Sequence, residues 1–475
     1  MTTINHATIA RRDLFSRVGK HLITNDLEEN INRIPFEMYP RNSPSIRCCV
    51  RKERAIVKYK MMAIFGYNTY DETDETTPLS EYVKMARNRT EETGVHLTIV
   101  DEACSSCVRS KYVVTNLCRG CEARPCTYVC KKNAISVTDK AWIRSENCVN
   151  CGLCQQACPF HAIIYQPVPC EEACPVSALS KTKNGVEIID TSKCIYCGSC
   201  MKICPFGAIM EKSQILQIFQ NFHENKKVVA MLAPAVAGQF QTDLGKLITA
   251  IKKLGFTDVI EVAEGANVTT KNETAEFVER VLENGEPFMT TTCCPSFVNL
   301  VEQHIPELKP FVSHTKTPMS YTADIVKERY GDDVLTVFIA PCIAKRSEAF
   351  RDKNTDFVMS IEELAALFVA ARIEVMDCEE TPLDPTIEKD GRLFAISKGV
   401  VNSIKNKLED PSKINPVFID GIDKQTVREL RNFAKNGCPG NIVEVMSCKG
   451  GCVNGCVNIN SPKMATRQII KQNEV

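Results

Sequence analysis

Twenty-six of the 475 residues are cysteine, and most stand in the close, repeated spacings by which thiolates bind metal. Such a chain has to fold so that cysteines from separate segments meet. An internal repeat makes the point: Cys148-x2-Cys151-x2-Cys154-x3-Cys158-Pro159 returns as Cys194-x2-Cys197-x2-Cys200-x3-Cys204-Pro205. Each copy continues with an aromatic, one variable residue and Ala-Ile. Eight further cysteines lie ahead of the repeat and inside it: Cys104, Cys107, Cys118, Cys121, Cys126, Cys130, Cys170 and Cys174. In a secreted protein they would suggest a disulfide framework. Met1 to Lys20 lacks the apolar centre of an export signal, so a reducing compartment and metal binding are expected instead.

Lysine plus arginine equals aspartate plus glutamate, 58 each, which argues against a nucleic-acid binder. No apolar run approaches the roughly 20 residues that cross a bilayer. A cytoplasmic protein without membrane insertion is expected. The cysteine pattern divides the chain into residues 1–100, of no readable role; a cluster region, 101–215; a β-rich and helical region, 225–460; and a tail, 461–475. The first region holds only Cys48 and Cys49, read as an ordinary thiol pair, and a polar run from Tyr67 to Thr77, read as a solvated loop.

The repeat resembles bacterial two-cluster ferredoxins, in which the last cysteine of each motif ligates the other cluster. That resemblance assigns Cys148, Cys151, Cys154 and Cys204 to one [4Fe–4S] centre and Cys194, Cys197, Cys200 and Cys158 to another. Cys118-x2-Cys121-x4-Cys126-x3-Cys130 resembles a motif found in polyferredoxins. By the same crossing logic, Cys174 closes Cys118, Cys121 and Cys126, and Cys130 closes Cys104, Cys107 and Cys170. Four accessory clusters are implied; zinc in one set, or free thiols at Cys104 and Cys107, is the plainer alternative.

From Asn225 onward short apolar runs (Val228 to Ala233, Asp258 to Val262, Val334 to Ala340, Phe357 to Met359, Ile442 to Met446) alternate with amphipathic stretches such as Thr274 to Glu283 and Ile361 to Ala371. This reads as an α/β domain with largely parallel sheets, preceded by a ferredoxin-like α+β cluster domain. Cys342 and Cys448 each follow such a strand, at the edge where open α/β sheets collect ligands.

Three segments, Thr-Thr-Cys293-Cys294-Pro295, Ala-Pro341-Cys342-Ile-Ala-Lys345 and Glu444-Val-Met446-Ser-Cys448-Lys-Gly450-Gly451-Cys452, resemble the active-site signatures of the [FeFe]-hydrogenases. Those enzymes interconvert protons, electrons and dihydrogen at an H-cluster, a [4Fe–4S] cube bridged to a diiron centre carrying CO, cyanide and a dithiolate. The resemblance makes Cys294, Cys342 and Cys448 ligands of the cube and Cys452 the bridging thiolate. Gly450 and Gly451 would let the backbone approach the cofactor. Lys345 would bond a cyanide, with Ala233, Pro234, Phe394 and Met446 lining the pocket; alone, Met446 would read as core filler. Cys293 would be the proton donor, at the end of a path Arg280, Glu273, Ser313, Glu276, Cys293 from surface to cofactor. By themselves Glu273, Glu276 and Arg280 read as a surface helix with a salt bridge; their register with Cys293 and Ser313 is what matches the family.

Ala340, Met319, Lys449, Cys456 and the single Gly399 depart from the family pattern around the cofactor, which points to a divergent subgroup. Cys456 reads equally as a thiol near the cofactor or as packing; Cys378 and Cys438 read as structural. The resemblance implies reversible 2H⁺ + 2e⁻ ⇌ H₂, with a soluble ferredoxin or similar carrier as electron partner and maturation proteins supplying the diiron unit. Membership of a larger redox complex would suit the cluster region too. The alternative is a non-catalytic relative: a hydrogen sensor, or an iron–sulfur electron-transfer or assembly protein.

Overall fold

The computed structural model of the chain describes residues 5–72, 74–89, 94–104, 107, 110–182 and 185–474. From residue 228 the apolar runs form two parallel sheets. The larger has the order Asp258–Glu261, Val228–Leu232, Leu335–Ala340, Phe357–Ser360. Val228–Leu232 is buried at every position, as an inner strand with helices on both faces must be. The smaller sheet runs Met289–Thr290, Ile442–Met446, Pro416–Asp420. Every ladder in this half is parallel, so the region is α/β as expected. Helix Ile361–Ala371 starts in a capping box: Glu363 N donates to Ser360 Oγ while Ser360 N donates to the Glu363 carboxylate. The expected helix Thr274 to Glu283 begins earlier, as Val262–Phe277, and ends in a π-helical turn, Val278–Glu283.

Residues 97–211 are held by four antiparallel ladders. Tyr112–Val114 pairs with Ile163–Tyr165, Ile135–Val137 with Ala141–Ile143, Leu179–Lys181 with Glu187–Ile189, and Leu97–Ile99 with Ile209–Glu211. The first two ladders therefore close a unit inserted within the unit that the last two close. Short helices Pro125–Tyr128, Leu153–Ala157, Pro169–Ala173 and Ser199–Ile203 carry cysteines in these units. This is the ferredoxin-like α+β layer expected.

The first hundred residues, which show no dependable period, contain the helices His6–Ile23, Val50–Ile64 and Leu79–Arg87. Leu14, Phe15, Val18 and Met61 join one apolar core with the larger parallel sheet. On the first helix Gly19 lies against the helix Ile361–Ala371, where an added Cβ would stand 2.9 Å from Leu367 Cδ2. Arg11 and Arg12 reach across to the Glu362 carboxylate at 2.7 and 2.8 Å. Thr73, in the polar run from Tyr67 to Thr77, lies outside the described residues. The expected tail is instead a helix, Pro462–Glu474, that buries Ala465 and Ile469; it packs so closely on Gly238 that a Cβ there would stand 2.5 Å from the Ala465 carbonyl oxygen. No helix among the described residues is long and apolar enough to cross a membrane.

Arg346 joins the cluster layer to the α/β half. Its guanidinium, almost without solvent contact, donates to Glu211 at 3.1 Å, to Glu363 at 3.0 Å and to the Val358 carbonyl at 2.6 Å. Burial and the neighbouring Glu363 hold Glu211 at about 7. Replacing Arg346 with methionine leaves two buried carboxylates without their cation, which typically costs about 3–5 kcal/mol. Chemical denaturation of Arg346→Met is expected to show a loss of that order; an unchanged midpoint would contradict the bridging role.

Candidate functional site

The accessory thiols sort into groups by the charges that act on them. Burial raises Cys170 to about 12, with Cys204, Cys104 and Cys107 among the thiols around it. Burial lifts Cys200 well above the ordinary thiol value, and Cys197, Cys194 and Cys174 add to the effect. Cys126 is raised by burial, with Cys121, Cys158 and Cys118 beside it, and Cys154 by burial, with Cys148 and Cys151. Cys130 lies in one apolar cluster with Cys118, Cys126, Cys154 and Cys158, so its own group follows only from the other three. Among the described residues no three Cys, His, Asp or Glu side chains converge as closely as a single metal ion requires; the thiols form wider groups.

This grouping corrects the expected crossing. Cys158 stands with Cys118, Cys121 and Cys126 rather than with the Cys194 triple. Cys204 stands with Cys104, Cys107 and Cys170, and Cys174 with Cys194, Cys197 and Cys200, which leaves Cys130 to Cys148, Cys151 and Cys154. The cause is the insertion: exchange takes place between the two motifs tied by the same ladders, not between the two most alike in sequence. Three of these fourth cysteines accept the backbone N–H four residues on, at 3.2–3.4 Å: Cys130 from Ala134, Cys158 from Ala162 and Cys174 from Ala178.

In the α/β half, the loops after four parallel strands meet around a cavity of about 540 Å³, measured to its open mouth. Ala233 and Pro234 follow Val228–Leu232, Cys293 follows Met289–Thr290, Pro341, Cys342 and Lys345 follow Leu335–Ala340, and Cys452 lies beyond Ile442–Met446. Phe394 and Met319 complete the wall. Cys448 is raised well above its ordinary value by burial and by Cys342, Cys456, Cys452 and Cys294, so the four expected ligands share one neighbourhood. Lys345 Nζ donates to Glu348 at 2.7 Å and lies over the Phe338 ring. Four thiols, one ammonium and an apolar wall suit a thiolate-bound metal group with anionic ligands.

Met446 is placed elsewhere. It is buried in an apolar cluster with Phe277, Phe394 and Val401, behind the cavity rather than in its wall. Gly450 and Gly451 hold left-handed φ values of 86° and 95°. A Cβ on Gly451 would stand 2.6 Å from the Ala395 carbonyl oxygen, so the close backbone approach there is to the protein's own chain. Gly455 similarly lets Pro341 approach: a Cβ would meet its carbonyl oxygen at 2.2 Å.

The carboxylates line up in the reverse of the expected order. Glu276 is the outer one. It accepts from Arg280 at 2.8 Å, from the His314 amide at 2.8 Å, from Thr315 Oγ1 at 2.8 Å and from Ser313 Oγ at 2.7 Å. Glu273 is the inner one, wholly buried; among the described residues neither oxygen has a well-aligned hydrogen-bond partner, although Ser313 and the Thr292 backbone lie close enough to act on it. Burial, then the charge of Glu276, lift it to about 8. Burial and Glu273 in turn push the Cys293 thiol well above its ordinary value. The line from surface to cavity is therefore Arg280 and Glu276, Ser313, Glu273, Cys293. His314, whose side chain is 78% exposed, stands with Nδ1 3.6 Å from Glu276 at the outer end. His314, Thr315 and Glu286, which pairs with Arg280 at 2.7 Å, escaped the sequence reading; only their closeness to Ser313 or Arg280 along the chain hinted at them. Glu444 was named only as the start of the third segment, without a role. Burial raises it to about 7, and it accepts backbone N–H bonds from Lys398 and Val401 at 2.5 and 2.9 Å.

Residues 226–456 match the domain described as iron only hydrogenase large subunit, C-terminal domain. Residues 141–164 and 187–210 match a 4Fe-4S binding domain. Iron hydrogenase 1 of Clostridium pasteurianum is 29% identical over 284 residues, which are 48% of this chain and 50% of that protein; the match spans half of its length. Cytosolic iron-sulfur assembly component 3 of Bos taurus is 25% identical over 314 residues, 53% of this chain and 66% of that one. The solved [FeFe]-hydrogenase HydA1 from Chlamydomonas reinhardtii superposes with a TM-score of 0.44 at 20% identity, over 54% of this chain and 88% of its own.

Two predictions separate these arrangements from their alternatives. In iron-loaded protein, Cys158→Ser is expected to speed amide hydrogen exchange within residues 110–166 and leave residues 187–211 unaffected; acceleration in the second segment would restore the expected crossing. A carboxyl whose folded value is raised binds more protons folded than unfolded, so stability falls as pH rises from about 4.5, its unfolded value, through about 8. Glu273→Gln is expected to flatten that part of the stability–pH curve. An unchanged slope would place Glu273 in contact with solvent or a cation.

Proposed function

We propose, from the match of residues 226–456 to the iron only hydrogenase large subunit, C-terminal domain, that the chain is a hydrogenase, an oxidoreductase that interconverts protons, electrons and dihydrogen. The observation that carries this reading is the Cys293 thiol in the cavity wall with Glu273, buried and raised to about 8, acting on it from behind. A line of protonatable groups ending at a cavity is what proton delivery requires; a scaffold that only passes clusters on has no use for one.

Cys294, Cys342 and Cys448 would hold the cube and Cys452 would bridge to the diiron unit, with Lys345 offsetting the charge of anionic ligands. When bound, that group supplies the two-electron chemistry of 2H⁺ + 2e⁻ ⇌ H₂. The chain moves the protons. Ser313 Oγ donates to Glu276 Oε2 at 2.7 Å, so a proton arriving on Glu276 moves to Ser313 Oγ only as that hydroxyl turns its own proton inward. Cys293 gives its thiol proton into the cavity, Glu273 then returns a proton to the Cys293 thiolate, and Ser313 gives its own proton to Glu273. Ala233, Pro234 and Phe394 keep that wall apolar and limit water.

Electrons would enter through the inserted unit. Among the described residues, eight large exposed apolar side chains lie between Leu117 and Tyr165, against two, Ile188 and Ile203, in the rest of the cluster layer. Leu117, Val149 and Leu153 are chain neighbours of the thiols Cys118, Cys148 and Cys154, so whatever covers them comes close to a cluster. Residues 110–166 hold seven Lys or Arg against three Asp or Glu, which suits a small acidic carrier of the ferredoxin type. The assembly reading draws on the likeness to the Bos taurus protein and predicts no turnover.

With reduced methyl viologen and fully matured protein, Cys293→Ala and Glu273→Gln are each expected to lower hydrogen evolution about 10²–10⁴-fold, the usual range for a lost proton-transfer group, while iron content stays the same. Activity near that of the unaltered protein in both would remove the relay. Reversing Lys131, Lys132 and Arg144 to glutamate is expected to raise KM for an acidic ferredoxin and leave methyl viologen turnover unchanged. Equal losses with both donors would place the entry point elsewhere.

A further inference from the structure

We propose that Lys60, on the helix Val50–Ile64, is the counter-charge of the iron–sulfur cluster held by Cys104, Cys107, Cys170 and Cys204, and raises that cluster's reduction potential. The inference rests on reading those four thiols as cluster ligands. It gives the N-terminal helices a role in electron transfer.

Lys60 stands where its helix calls for an apolar residue. Ile56 and Val57, four and three positions earlier, are both buried, and Lys60 shares their face at 6% exposure. The ammonium points to the turn that follows Cys204. A Cβ built on Gly207 would stand 3.4 Å from Lys60 Nζ and 2.9 Å from Ala7 Cβ. Between helix and turn lies a cavity lined by Arg47, Glu53, Lys60, Pro205 and Phe206.

The other charges there are already matched. Arg47 donates to Glu53 at 2.6 Å and to the Phe206 carbonyl at 3.1 Å. Glu53 also accepts the Ile46 and Arg47 backbone N–H groups. Arg11 is held by Glu362 at 2.7 Å. Among the described residues, none forms a hydrogen bond or ion pair with Lys60. Burial, then Arg11 and Arg47, bring it down to about 8, while Cys204 acts in the opposite sense. A buried ammonium with two guanidiniums near it is costly unless an anion compensates. A cube with four thiolates is anionic and gains a further negative charge on reduction, so a fixed cation favours the reduced state.

The test is a potentiometric titration followed by electron paramagnetic resonance, on the full iron-loaded chain as wild type, Lys60→Met and Lys60→Arg. One midpoint is expected to move to lower potential in Lys60→Met, the others to hold, and Lys60→Arg to return that midpoint toward its original place. The moving component should be the one that Cys107→Ser removes. Unchanged midpoints in an iron-replete Lys60→Met protein would overturn the proposal, as would movement of a different component. Should Lys60→Met lose iron, Lys60→Gln carries the same test; loss of that cluster in both would assign Lys60 to folding and overturn it. Full iron retention in Cys107→Ser would instead overturn the ligand reading, and the proposal with it. No readout depends on hydrogen turnover.

Discussion

Thiols from distant parts of the chain have to meet, and the fold is arranged around that requirement. In the α/β half the solution is directional. Parallel strands send their carboxyl ends to one edge, and the loops after Val228–Leu232, Met289–Thr290, Leu335–Ala340 and Ile442–Met446 deliver Pro234, Cys293, Cys342 and Cys448 there. In the cluster layer the solution is exchange between paired motifs. The two layers touch where Gly198, beside Cys197, lies so close to Cys456 that an added Cβ would stand 2.3 Å from its Sγ. Only a residue without a side chain fits there, so the loop of an accessory cluster is held directly against the loop that follows Cys452.

Buried charge marks function by how it is compensated. The network of Arg346, Glu211 and Glu363 is closed, cation against carboxylates, and holds layers together. Glu273 is not closed. Among the described residues its oxygens have no well-aligned hydrogen-bond partner and no cation, and burial raises it to about 8. A fold seeking only stability would place an apolar residue at that position. The π-helical turn Val278–Glu283 lies just beyond it and turns Arg280 toward Glu276 and Glu286.

Much of this was legible in the residues, and the failures have physical causes. Five apolar runs became strands because buried parallel strands are continuously apolar. Pro416–Asp420 was missed: proline opens it, and only Ile419 is fully buried. Glu273, Glu276, Ser313 and Cys293 lie in one neighbourhood, but the order of the two carboxylates was inverted, since residues three apart share a helix face and only the helix's direction relative to the cavity decides which is inner. The cluster partners were crossed wrongly because the repeat shows which motifs are alike, not which share a ladder. The N-terminal helices were hidden because positions such as Arg11, Glu53 and Lys60 put charge where a helical period needs apolar residues; those same charges proved informative once their neighbours were known.

Infrared absorption of anaerobically matured, iron-replete protein under hydrogen and then argon tests the hydrogenase reading most directly. Cyanide and CO bands that shift between the gases are expected, because the thiols around Cys452 would hold a diiron unit that exchanges electrons with hydrogen. A silent window in that spectral region would contradict it and leave a chain of iron–sulfur clusters ending at a cavity with no hydrogen chemistry.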